Sequence, residues 1–199
     1  MINKFILSTL FCLLLHASYS QKFMHGVGTG VFINLSPFTQ PTIPTVLTYS
    51  PRINFFETSA LSVSAGIPFS VGFGTTYYTN YYSVNGLDVE NTTTYVINIP
   101  AMINLNIGAG SSKQTEKRFG FFIGGGVSYQ YGRYVLDEYN GVTNEYPKVK
   151  ETSVGPAGNI GLRFAVGKHQ KNIEAKFSYM RSLKEDKISA LGIVALFNF

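Results

Sequence analysis

From Lys22 onward the chain alternates between bulky apolar residues and small or polar ones, the pattern of β-strands with two unlike faces. The clearest stretch is Leu61 to Phe73: Leu61, Val63, Ala65, Ile67, Phe69, Val71 and Phe73 share one face, while Ser62, Ser64, Gly66, Pro68, Ser70 and Gly72 share the other. Thr94 to Gly108 repeats it, with Tyr95, Ile97, Ile99, Ala101, Ile103, Leu105 and Ile107 opposed to Val96, Asn98, Pro100, Met102, Asn104 and Asn106. Bulky residues keep the odd positions in 22–36, 44–55, 119–131, 172–180 and 188–199. Only in 154–166 do they become even, as Val154, Pro156, Ile160, Leu162, Phe164 and Val166. Pro51 marks an expected irregularity in the second stretch, since proline cannot donate to a ladder.

Eight strands follow from this pattern, and the fold class it predicts is all-β. The connections alternate as well: roughly 7, 20, 22 and 7 residues after the odd strands, and roughly 5, 10 and 5 after the even ones. The last stretch, Ile188 to Phe199, carries no charge and sets Leu191, Ile193, Ala195, Phe197 and Phe199 on one face. Left as an edge it would invite aggregation, so it must pair on both sides, which closure into an up-and-down antiparallel barrel achieves.

The interior of an eight-stranded barrel is just wide enough for side chains to fill. The face rich in Gly, Ser, Asn and Ala fits that space; the Phe, Ile, Leu and Tyr face does not and must point outward. A soluble exterior would need Lys and Glu at alternate positions, yet apart from His25 the bulky face carries no titrating group but tyrosine. The barrel is therefore expected to face lipid, where an Arg or Lys near the midplane costs about 2 to 4 kcal/mol. Aromatics near the strand ends form two expected girdles, Phe55, Phe119, Phe164, Phe197 and Phe199 at one rim and Phe73, Tyr95, Tyr129, Tyr131 and Tyr179 at the other.

Composition agrees, with Gly 20, Tyr 13, Phe 16 and only 14% charged residues among 199. Residues 1–20 are expected to be a signal peptide: Lys4, then the apolar run Phe5 to Leu15, then the small-x-small exit Ser18-Tyr19-Ser20. The apolar run is too short to span a bilayer as a helix. Cys12 falls inside it, so the domain 21–199 has no cysteine, which excludes thiolate nucleophiles and thiolate metal sites. Without the leader the chain holds 15 basic and 11 acidic residues, a modest and scattered excess that forms no stripe for nucleic acid.

A last strand with alternating aromatic and aliphatic residues and a terminal Phe resembles the closing strand of bacterial outer-membrane barrels. That resemblance implies a C-terminal signal for the barrel-assembly machinery, carried here by Leu191, Ile193, Phe197 and Phe199. The whole domain resembles the small OmpA- and OmpX-like eight-stranded barrels. Tyr-Ser-Pro-Arg-Ile-Asn at 49–54 and Ile-Asn-Ile-Pro at 97–100 are similar in texture to the outer membrane protein beta-barrel families of the Bacteroidota. The resemblance implies residence in the outer membrane among its lipid and lipopolysaccharide, with long hairpins 74–93 and 132–153 outside the cell and short turns in the periplasm. Unlike OmpA, the chain is expected to end at the barrel, without a periplasmic peptidoglycan-binding domain.

Asn85-Gly86 and Asn140-Gly141 are type I′ hairpin signals. A two-residue turn at Asn140-Gly141 pairs odd with even positions and suits the switch of face; at Asn85-Gly86 it conflicts with odd-outward strands on both sides, so a β-bulge is expected there. The inward charges are Arg52, Arg163, Glu174 and Lys176, all in the periplasmic half, expected to form an ionic cluster with Asn54, Asn159 or Asn172. The cluster reads as a permanent plug; the alternative is a gate across a narrow pore for small solutes. Lipid A-modifying barrels work with His, Ser and acidic residues at the outer leaflet, and neither His25 nor His169 maps there. No catalytic residue, metal site or cofactor is expected. A structural or interaction role through the outer hairpins, or as an accessory subunit of an envelope complex with a protein partner, is the functional expectation.

Overall fold

The computed structural model describes residues 22–80, 88–112, 115–136, 147–167, 171–184 and 187–199. Twelve strand segments follow in chain order: β1 (Lys22–Met24), β2 (Gly26–Ser36), β3 (Thr39–Thr42), β4 (Thr45–Tyr49), β5 (Arg52–Phe55), β6 (Leu61–Gly66), β7 (Phe69–Asn80), β8 (Asp88–Gly108), β9 (Phe119–Val135), β10 (Lys148–Ala165), β11 (Asn172–Arg181) and β12 (Ser189–Asn198). β1 and β2 make one barrel strand, as do β4 with β5 and β6 with β7, so all but β3 compose eight antiparallel staves. The break between β4 and β5 falls at Ser50-Pro51, as the proline predicts; a second, at Ile67-Pro68, has the same cause.

The barrel closes where β12 pairs with β2, from Ser189↔Leu35 to Asn198↔Gly26. Phe199 extends the seam by exchanging both backbone hydrogen bonds with His25, at 3.1 and 2.9 Å. The uncharged last strand thus has β11 on one side and β2 on the other and leaves no edge.

Every stave keeps the predicted parity. Leu47, Phe73, Ile103, Phe177 and Ile193 are exposed on the outside, and Val46, Gly72, Asn104, Lys176 and Val194 face in. Odd-outward β9 meets even-outward β10 odd against even from Phe119↔Phe164 to Val135↔Lys148. That ladder centres between residues 141 and 142, one position from the expected Asn140-Gly141 turn, whose residues lie outside those described.

The β7–β8 hairpin keeps both of its strands odd-outward. Its ladder runs from Ser70↔Asn98 to Asn80↔Asp88 without a register shift, odd against odd, and holds no bulge. It centres on residue 84, so the odd faces of both strands stay outward without one. The expected turn at Asn85-Gly86, and any bulge beside it, lie outside the described residues. Burial of one face holds this register, because a slip of one residue would turn every side chain of a stave over.

Two large aromatics fit inside only because their cross-strand partners are glycines. Phe122 lies against Gly161 and Phe32 against Gly192. A Cβ on Gly161 would come within 2.5 Å of the Phe122 ring, and one on Gly192 within 2.6 Å of Phe32. Gly161→Val and Gly192→Val are each expected to lower the urea midpoint of unfolding by the equivalent of about 1 to 3 kcal/mol, the usual cost of overpacking. Gly125→Ala, whose Cβ would meet nothing nearer than 3.9 Å, should leave it in place.

Candidate functional site

The described interior is stacked in three layers. At the end with the short turns lies the ionic cluster. Glu174 on β11 is buried between Arg52 on β5 and Arg163 on β10, and a single carboxylate oxygen, Oε2, accepts from Arg163 Nε at 2.7 Å and Arg52 Nη1 at 2.9 Å. Asn198 Nδ2, from the closing strand, donates to the same oxygen at 3.1 Å and to Asn172 Oδ1 at 2.8 Å. Arg163 also donates to Asn106 Oδ1 at 2.8 Å and stacks over Phe122, 4.3 Å from the ring centre. The fork geometry of guanidinium lets each arginine serve several partners at once, which a buried charge requires.

The four predicted charges come together, and of the three amides expected beside them Asn172 is drawn into the network. Asn54 turns to Met24 Sδ at 3.4 Å and the Ser111 carbonyl at 3.1 Å rather than to a charge, and Asn159 makes no hydrogen bond to the ion pairs. Asn172 accepts from Asn198, which in turn donates to Glu174. The amides that do the work are Asn106 and Asn198, and Lys176 forms no ion pair among the described residues. The signal for Asn106 was present: Asn98, Asn104 and Asn106 share the inward face of one strand. Nothing in the local pattern says which of them reaches Arg163, because that depends on the stagger of β8 against β10.

Above the cluster is an apolar layer of Phe32, Val46, Val96, Val194 and Leu196, all buried. Two cavities of about 30 and 20 Å³ border Lys176, each with room for about one or two water molecules. The third layer is polar. Gln130 Nε2 donates to Asn34 Oδ1 at 2.9 Å and to Tyr134 Oη at 2.8 Å, and Asn98 Nδ2 donates to Ser128 Oγ at 2.9 Å. β3, which alternation did not reveal because it is only four residues long, hydrogen-bonds to β2 and reaches across to β9 through a Thr39↔Leu136 bridge. Its Thr42 accepts from Asn34 at 3.1 Å, so the first connection straps this end of the lumen.

Outside, the aromatic belts form as expected. Phe119 meets Phe164 edge to face at 5.3 Å at the short-turn rim, and Tyr95 and Tyr131 lie 5.9 Å apart at the other. His25 belongs to the first belt: it stacks on Phe199 at 5.8 Å and hydrogen-bonds the Tyr49 hydroxyl at 2.6 Å. Leu191, Ile193, Phe197 and Phe199 all lie on the outward side of the closing strand. At the long-hairpin end an open bowl of about 670 Å³ is lined by Phe38, Leu136, Val149, Glu151, Leu183 and Lys184, with Leu183 79% exposed.

A closed eight-stave barrel with an apolar exterior, aromatic belts and a filled polar lumen matches solved structures. Neisserial surface protein A aligns over 89% of this chain and 97% of its own, with a TM-score of 0.58 at 12% identity. It has the fold of the small eight-stranded outer-membrane barrels. The attachment invasion locus protein of Yersinia pestis scores 0.48 at 10% identity, covering 90% of this chain and 98% of its own. The N-terminal barrel domain of Pseudomonas aeruginosa OprF scores 0.39 at 13% identity, covering 87% and 97%. No protein-family model and no curated protein sequence matches the chain.

Proposed function

We infer that the protein is a sealed, non-enzymatic barrel of the outer membrane whose working surface is its long-hairpin end, turned out of the cell. Residues 1–20 act as the leader removed on export, and the outward row Leu191, Ile193, Phe197 and Phe199 serves the assembly machinery. The observation that carries this reading is the contrast between lumen and hairpins. The interior is blocked in three layers, whereas the β7–β8 ladder continues seven residues beyond Phe73, roughly 23 Å of strand at about 3.3 Å per residue. Ordered backbone pairing that far past the belt serves no purpose in spanning a bilayer. It presents a paired backbone ribbon on which contact with a macromolecule or an envelope subunit can be built.

In a planar bilayer the refolded protein is expected to insert without steady single-channel current; a reproducible conductance that changes in Arg52→Ala or Glu174→Ala would replace this reading with a pore. Replacing residues 76–92 by a tight turn should leave folding intact while removing any stoichiometric companion seen by native mass spectrometry of the protein isolated in mild detergent. A companion retained by the shortened protein would move the contact surface elsewhere.

A further inference from the structure

Among the described residues the barrel interior buries four charged side chains, and three are cations: Arg52, Arg163 and Lys176 against Glu174. Both guanidinium groups lean on that one carboxylate, and Lys176, only 7% exposed, has no ion pair among the described residues. Such an excess of buried charge is costly unless something of opposite sign meets it. A cavity of about 20 Å³ lies among these groups, its wall including Ser50, Arg52, Asn104, Asn159, Glu174 and Lys176. Three atoms on residues of this wall are buried and unpartnered: Arg52 Nε, which has no acceptor, and the carboxamide oxygens of Asn104 and Asn159, which have no donor. Turning a carboxamide by 180° exchanges its oxygen for its NH₂ group, and the two orientations are settled only by their hydrogen-bond partners.

We propose that this cavity binds one small monovalent inorganic anion, of the size of chloride, held by Lys176 and Arg52 with the amides of Asn104 and Asn159 turned to donate. A water molecule would satisfy the same atoms but leave the excess positive charge in place; an anion answers both. The cavity has room for a single-atom anion. The apolar layer covers one side of the site and the ion-paired cluster the other. The anion is therefore taken up as the barrel closes, and its exchange is slow afterwards.

The test is to refold the full chain in sodium bromide, crystallise it and collect data at the bromine edge. One anomalous peak beside Lys176 and Arg52 is expected, absent in Lys176→Met. In solution, protein refolded in sodium chloride should unfold at higher urea than protein refolded in sodium gluconate of equal ionic strength. That difference should vanish in Lys176→Met and persist in Lys187→Met, whose lysine is exposed. If Lys176→Met does not fold, Lys176→Gln replaces it, keeping a hydrogen-bond donor without the charge, and it too should lose the peak. Density for water alone at the site, equal urea midpoints in the two salts, or a bromide peak that survives loss of the lysine charge would each overturn the proposal.

Discussion

Glu174→Gln is expected to destabilise the barrel by about 3 to 5 kcal/mol, the characteristic loss when one partner of a buried ion pair is removed and its counter-charge stays behind. Here the loss falls on two partners, since the same oxygen accepts from Arg52 and Arg163. Glutamine keeps the shape and still offers an oxygen to Asn198, so the deficit isolates charge from packing. Urea titration of protein folded in lipid vesicles, read by the gel-mobility difference between folded and unfolded barrel, measures it. A loss under about 1 kcal/mol would mean that water reaches the cluster and screens it. The combined variant Arg52→Met, Arg163→Met, Glu174→Leu, Lys176→Met is expected to be milder than Glu174→Gln alone, because apolar replacement of a whole buried ion cluster removes its desolvation cost together with its attraction. If the combined variant were the worse of the two, the cluster would be a net source of stability.

The second large effect lies on the opposite side of the wall. Ile103 is 61% exposed on the outward face of β8, between the belt residue Tyr95 and the strand end at Gly108. Ile103→Arg is expected to cost about 2 to 4 kcal/mol in vesicles, since a guanidinium near the midplane meets hydrocarbon. Thr93→Arg, on the same face of the same strand but beyond Tyr95, should cost only about 0 to 1 kcal/mol. The pair measures depth with backbone, strand and substituent held constant. Equal costs at both sites would place the bilayer differently along the barrel; negligible cost at both would mean that this face does not meet lipid.

Much of this was legible in one dimension. Parity along a strand is a property of consecutive residues, so Leu61 to Phe73 declared its two faces without reference to any neighbour. The choice of outward face followed from where charge is missing. Closure followed from the uncharged strand Ile188 to Phe199, which could not be left as an edge. Even the switch of parity in 154–166 was visible, and the odd-against-even ladder of β9 and β10 bears it out.

Local pattern stopped short where contacts between distant strands decide. The described β7–β8 ladder pairs odd with odd throughout, as the outward faces of both strands require. Alternation likewise showed that Arg52, Arg163, Glu174 and Lys176 point inward, and it could go no further. Arg52 and Glu174 meet across 122 positions, and Arg163 reaches Asn106 rather than Asn159. Those pairings depend on the stagger accumulated around eight staves and on which glycines let Phe32 and Phe122 into the lumen. Period-two alternation specifies a face; height along the barrel axis is specified only when the sheet closes, and height decides which buried charges touch.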